Sequence, residues 1–369
     1  MSPVATVPQR FARLLSQVAA QLKLRGADPA LELAGRFGLR RYFERHQTGD
    51  TGLADNEWME RAAQLRKEAR DLSAALRDAG VPHFFFKGIA LLGRFYRLDD
   101  RRLDDIDLMV EVARRNQAMA VLHAHGYADL NEPGVWGPAS QRPGATMFRV
   151  DAETGERDQH APLLDLHWGL EPVSAVLPTQ GITLPSAFWA RVEMDQRLPV
   201  LPDELHAALV LHHLVRHDLL HVRGLLDFAL LWEALPRDAG ARLTELAAHL
   251  GVGRALSVVG RVLVDDLLLF PIRGVRLGAR DWRARAALRR LGLRDWLAWA
   301  GRHAADRRHH VTVTRSLAWR RFLLADAPDV GRLTSELFRP PVEYLSWRWP
   351  DARAPGQAWR QHLAAALRA

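Results

Sequence analysis

Two aspartates one residue apart open the run Asp105-Ile106-Asp107-Leu108-Met109-Val110, which alternates with period two. Successive side chains of a strand face opposite ways, so Ile106, Leu108 and Val110 share a core face and Asp105 and Asp107 share the other. Adjacent carboxylates repel unless positive charge stands between them. The usual remedy is a divalent cation held through oxygen ligands, typically Mg2+ alongside substrate phosphates. A lone Asp-x-Asp is more often a half-exposed strand with solvated acids, and three neighbouring features favour the metal here. Phe84-Phe85-Phe86 reads as a strand that Lys87-Gly88 interrupts, with helical character over residues 89–97; a turn that opens a helix favours phosphate through its backbone N–H groups. Arg101 and Arg102 lie just before the acids. Lysine supplies just Lys23, Lys67 and Lys87 of the chain's 51 basic residues, so a lysine closing an apolar strand is not background.

A second alternating run, Leu163-Leu164-Asp165-Leu166-His167-Trp168, puts Leu164, Leu166 and Trp168 on one face and Asp165 and His167 on the other. An exposed strand face would look the same. The functional reading makes Asp165 the third carboxylate of the site, on a neighbouring antiparallel strand about 4.8 Å away.

The combination of Phe86-Lys87-Gly88, Tyr96, Arg101 four residues before Asp105, and Asp105-Ile106-Asp107-Leu108-Met109-Val110 resembles the uncharacterised nucleotidyltransferase family of the DNA polymerase β-type superfamily. The close match covers about 30 residues, with looser likeness to about residue 235. The Asp165-Leu166-His167-Trp168 segment follows at the family's distance. Most members of the wider superfamily carry Gly-Ser where this chain has Lys87-Gly88, so a serine hydroxyl contact to phosphate is absent. The resemblance implies transfer of a nucleoside monophosphate from a nucleoside triphosphate, ATP being the expected one, to a hydroxyl-bearing acceptor. Asp105 and Asp107 would hold two Mg2+ ions, or Mn2+ in their place. Asp165 would ligate one ion and help deprotonate the acceptor, while Lys87, the Gly88 amide, Arg101 and His167 would bind the nucleotide.

Two other readings compete. The Lys-Gly departure and the basic charge fit a catalytically silent module that binds a nucleotide, RNA or a partner. Alternatively, His206, His213, His217 and His221 fall on one helical face, and i, i+4 histidines can chelate a metal; His217-Asp218 also resembles the dipeptide of His-Asp phosphohydrolases. The remaining ligands of that family are not recognisable, and a buried helix with satisfied histidines explains the segment better.

Composition sets the frame. With 369 residues, 48% hydrophobic and 25% charged, the chain can bury an ordinary core and accommodate two or three domains. Its net charge of +8 comes almost wholly from scattered arginines, so solvated helix faces are favoured over a nucleic-acid surface. The absence of cysteine excludes disulfides, thiolate catalysis and Cys-ligated zinc. No apolar run approaches the roughly 20 residues that span a bilayer, and residues 1–10 do not read as a signal peptide. A cytoplasmic protein is expected.

The positioning elements follow. Residues 1–80 form an N-terminal helical region, with amphipathic spacing at Phe11, Leu14, Leu15, Val18 and Leu22 and a stop at Gly80-Val81-Pro82. Residues 81–200 form the nucleotidyltransferase-like α/β core, and residues 201–369 a helical domain. The fold class expected is α+β: a small mixed β-sheet flanked by helices, mostly helical overall. Residues 131–144 read as a loop, and aromatics at 344–349 as a docked tail.

Overall fold

The computed structural model describes residues 6–277 apart from 26, 49–55, 131–142, 152, 159–160, 175–180, 196, 218–220 and 237, and shorter stretches between 282 and 368. Asp218, most of the 131–144 loop and most of the aromatic tail lie outside the described residues.

The helices begin where sequence chemistry starts them. In α1 (Val7–Gln21) the face of Val7, Phe11, Leu14, Leu15 and Val18 is buried, and Gln9 Oε1 accepts the Thr6 N–H at 2.9 Å. Asp28 starts α2 (Pro29–Arg36): its Oδ1 accepts the N–H groups of Ala30 and Leu31, both at 3.0 Å, and Pro29 suits the first turn because it has no N–H to satisfy. α3 (Arg40–Thr48) packs against α2, and α4 (Asn56–Asp78) runs to Gly80, whose φ of +67° suits a residue without Cβ.

The chain forms two compact units: Met1–Thr51 with Pro172–Pro178 and Asp203–Ala369, and Gly52–Glu171 with Thr179–Pro202. The second unit holds the sheet. Its elements are β1 (His83–Phe86), α5 (Gly88–Leu91), β2 (Asp105–Val110), α6 (Arg115–Ala124), β3 (Tyr127–Asp129), β4 (Gly144–Arg149), β5 (Leu163–His167), α7 (Ser186–Trp189), β6 (Glu193–Asp195) and β7 (Leu198–Val200). Seven described strands lie in the order β3-β4-β5-β2-β1-β7-β6. β1 is antiparallel to β2, while β2 and β5 run parallel. Phe84, Phe85, Ile106, Leu108, Leu164 and Leu166 are fully buried at the centre of this sheet.

Two expectations are corrected. The helical character read over residues 89–97 ends at Leu91. Leu92 is extended and bridges Tyr96, and the Gly93 N–H, at φ +81°, reaches the Tyr96 carbonyl at 2.7 Å. One turn of helix aligns few peptide dipoles, so phosphate attraction at its start is weak. β5 is parallel to β2, where an antiparallel neighbour was expected. β3, β4 and β5 reverse direction twice through antiparallel pairs, which returns β5 to the direction of β3.

The other unit is helical in its described residues. α8 (Asp203–Arg216) packs along α9 (Val222–Ala234) and against α10 (Gly240–His249), followed by α11 (Gly253–Asp266), α12 (Trp282–Arg290), α13 (Val330–Phe338) and α14 (Pro355–Arg368). Asp326 accepts the first N–H groups of α11, from Gly253 at 2.7 Å and Arg254 at 2.6 Å. Trp232 is buried and donates its indole N–H to the Phe270 carbonyl at 2.9 Å. Gly260 makes room for that ring, since a Cβ there would stand 2.7 Å from Trp232 Cη2. The α+β, mostly helical architecture read from the sequence is the one observed. Among the described residues no helix is long and apolar enough to cross a membrane.

His83, buried in β1, supplies a pH handle on the sheet unit. Its Nδ1 lies 2.8 Å from the Val81 carbonyl and its Nε2 2.9 Å from Ser73 Oγ. A carbonyl only accepts, so Nδ1 is assigned the hydrogen and Nε2 accepts the Ser73 hydroxyl proton. Burial depresses the imidazole pKa, Arg77 adds to the effect, and the Val81 bond opposes it. The unfolded ring takes up a proton near pH 6.5. Below about that pH the unfolded state therefore binds more protons than the folded one, and stability falls as pH falls until the folded pKa is passed. Urea unfolding followed from pH 7.5 down to about pH 5 should show this loss, with a shallower slope in His83→Gln. An unchanged slope in the variant would place the acid sensitivity elsewhere.

Candidate active site

Phe86 pairs with Asp107 across the β1–β2 ladder, so the chain leaves β1 directly beside that acid. Lys87 makes the exit with φ 55° and ψ −137°, a conformation that favours glycine and costs a side-chain-bearing residue about 1–3 kcal/mol. Gly88 then has no room for a side chain: a Cβ would stand 2.6 Å from Leu103 Cδ2 and 3.1 Å from Arg101 Nη2. The turn directs Lys87 Nζ to 2.5 Å from Asp107 Oδ1 and over the Phe86 ring, 5.1 Å from its centroid. Only 16% of the Lys87 side chain and 5% of the Asp107 side chain is exposed. Burial works against both charges. For Lys87 the attraction of Asp107, then Asp105 and Asp165, outweighs it and holds the ammonium pKa above the ordinary lysine value. For Asp107 the nearby Lys87 charge, helped by His167, outweighs it and holds the carboxyl below its ordinary value.

The parallel β2–β5 register sets Asp107 opposite Asp165. Asp165 Oδ1 accepts the Thr146 hydroxyl at 2.9 Å, from β4 on its far side. His167, two residues along the same strand face, brings Nε2 to 3.7 Å from Asp107 Oδ1, and Phe86 meets its ring edge-on at 5.2 Å. One donor atom from each of Asp107, Asp165 and His167 falls within 4.8 Å of the others. The His167 Nε2 is buried without a hydrogen-bond partner, which leaves a lone pair or an N–H unsatisfied. Two carboxylates and one imidazole suit a divalent cation, and that orphaned nitrogen facing Asp107 fits such an ion.

The residues singled out in the sequence are distributed as follows. Asp107, Asp165 and His167 converge beside Lys87. Asp105 shares their face and contributes to the Lys87 charge environment, yet is not one of the three whose donor atoms are gathered. Arg101 is 4% exposed; it lies beneath Gly88 with its guanidinium 5.0 Å from the Tyr96 ring centroid. Sequence reasoning missed Thr146 and the aromatic wall of Phe86. Thr146 was legible as part of a strand, but only the pairing of β4 with β5 shows that it faces Asp165.

Residues 54–265, more than half of the chain, match the family described as uncharacterised nucleotidyltransferase. No curated protein matches the sequence. Among solved structures the chain is similar to MenT4, a nucleotidyltransferase toxin from Mycobacterium tuberculosis, with 18% identity and a TM-score of 0.31, over 72% of this chain and 94% of that one; a likeness this loose does not bear on chemistry. The matched residues contain the sheet, the Lys87-Gly88 turn and all three converging side chains, and the chain belongs to the uncharacterised nucleotidyltransferase family.

Proposed function

We propose that the protein transfers a nucleoside monophosphate from a nucleoside triphosphate, ATP in the simplest case, to a hydroxyl-bearing acceptor in the cytoplasm, with Mg2+ or Mn2+ bound at the acids. The observation that carries this reading is the convergence of Asp107, Asp165 and the unsatisfied His167 Nε2 beside a buried ammonium. Asp107, Asp165 and His167 would hold the ion, with Asp105 one pleat away on the same face. Such an ion would polarise the phosphoryl oxygens and offset the charge that develops during displacement.

The chain's own groups do the rest. Lys87 neutralises Asp107 while the site is empty of substrate. The Lys87 ammonium and the Gly88 N–H, from the same turn, would bind the triphosphate. Arg101, buried below Gly88, fixes the turn and adds positive potential. Asp165, oriented by Thr146, takes the proton of the acceptor hydroxyl. The acceptor oxygen forms its bond to the α-phosphorus as the α–β bridging bond breaks, and pyrophosphate leaves with the electron pair. Positioning and preset charge, with no covalent intermediate, account for the rate.

Incubation with α-labelled nucleoside triphosphates, Mg2+ or Mn2+ and a panel of acceptors should give labelled acceptor and pyrophosphate. Asp107→Ala should lower the rate at least about 100-fold; transfer unchanged in that variant would remove Asp107 from the chemistry. Thr146→Val should weaken Mn2+ binding about tenfold, read by titration, because second-sphere bonds orient metal ligands. Wild-type affinity in this variant would show the Thr146 bond to be incidental. Removing the ammonium leaves a buried carboxylate uncompensated, so Lys87→Met should lose about 3 kcal/mol of metal-free stability. Saturating Mn2+ should restore more stability to the variant than it adds to wild type, and an equal gain in both would mean that lysine and metal do not share Asp107.

A further inference from the structure

A separate group of side chains gathers in the helical unit. His213 and His217 lie one turn apart at the end of α8, where the His217 N–H reaches the His213 carbonyl at 3.0 Å. The helix stops at Arg216, and His221 stands just before α9, its carbonyl accepting the Leu225 N–H at 3.0 Å. The three come from the last turn of α8, the residue after it and the residue before α9, not from one helical face, and His206, expected to join them, is separately buried on α8, as is His212. The ring centroids of His213, His217 and His221 are 4.2, 5.1 and 5.9 Å apart, and no pair lies flat on another, with interplanar angles of 54°, 80° and 38°. All three are half-buried, so an ion from solvent can reach them. Gly224 keeps the space: a Cβ there would stand 3.1 Å from both His221 Nδ1 and Leu214 Cδ2.

We propose that His213, His217 and His221 form a binding site for a borderline divalent cation of the Zn2+ class, clamping the end of α8 to the start of α9. The spacing carries the argument. An imidazole nitrogen binds Zn2+ at about 2.0–2.1 Å and lies about 1.1 Å from its own ring centre, which puts the ring centre about 3.2 Å from the ion. Three such rings at tetrahedral angles have centres roughly 5.2 Å apart. The observed separations bracket that figure. An all-nitrogen donor set selects Zn2+, Ni2+ or Co2+ over Mg2+, which requires oxygen. Water completes the fourth position. Among the described residues the only three donor atoms already within 4.8 Å of one another are those of Asp107, Asp165 and His167, so binding here turns the imidazoles about Cβ–Cγ and leaves the helices where they are.

The test uses the full chain, stripped with EDTA and held in excess Mg2+ to occupy the acids, then titrated with Co2+. One equivalent should produce the intense visible bands of tetrahedral Co2+, and Zn2+ should displace it. The bands should persist in Asp107→Asn, and Co2+ affinity should fall at least tenfold in His213→Asn and in His217→Asn. Saturating Zn2+ should raise the wild-type Tm by about 5 °C. X-ray absorption of the wild-type Zn2+ complex, which depends on no variant's folding, should count three imidazoles. The assignment is overturned if wild type gives no such bands, if they survive His217→Asn, if they vanish in Asp107→Asn, or if absorption finds fewer than three imidazoles.

Discussion

The site rests on one buried ion pair, Lys87 with Asp107. Stripping water from an ammonium and a carboxylate is expensive, and their mutual attraction repays it only at close approach. The 2.5 Å contact and the further pull of Asp105 and Asp165 supply that attraction. The backbone adds a cost of its own, since Lys87 occupies a glycine-like conformation. A residue held against both penalties is fixed by its surroundings: the β1–β2 ladder behind it, the side-chain-free position of Gly88 after it, and the buried Arg101 and Leu103 beneath that glycine. The acids are thereby kept apart from one another's full repulsion before any substrate arrives.

The sheet explains why these groups meet. β2 is central and paired on both sides, by β1 carrying the lysine and by β5 carrying Asp165 and His167. Because β5 is parallel to β2 and Asp165 falls opposite Asp107, a slip of one residue would carry Asp165 and His167 to the other face. β4 then supplies Thr146 from beyond β5. The members come from three adjacent strands and the exit of a fourth, which is how a small rigid scaffold holds several polar groups in a mostly apolar setting.

The helical unit illustrates a different use of histidine. His206 and His212 are enclosed in α8, whereas His213, His217 and His221 meet at the break between α8 and α9. Helical periodicity put His206, His213, His217 and His221 on one face but could not see where α8 ends. The end of the helix, and not the spacing, decides which rings touch.

By itself the sequence determined the local facts: strands at 84–86, 105–110 and 163–167, the helix stop at Gly80, the α+β class, and the identity of Lys87, Asp107, Asp165 and His167 as residues of one face or turn. Those depend on periods of two and 3.6 and on the stereochemistry of Pro, Gly and Asp, which neighbours in the chain control. Tertiary structure decided the rest. It set the parallel direction of β5, the exclusion of Asp105 from the gathered donors, the pairing of Lys87 with Asp107, the burial of Arg101 under Gly88, and the contribution of Thr146. Each of these is a distance between residues far apart in sequence, fixed by strand register and packing, and no local pattern encodes it.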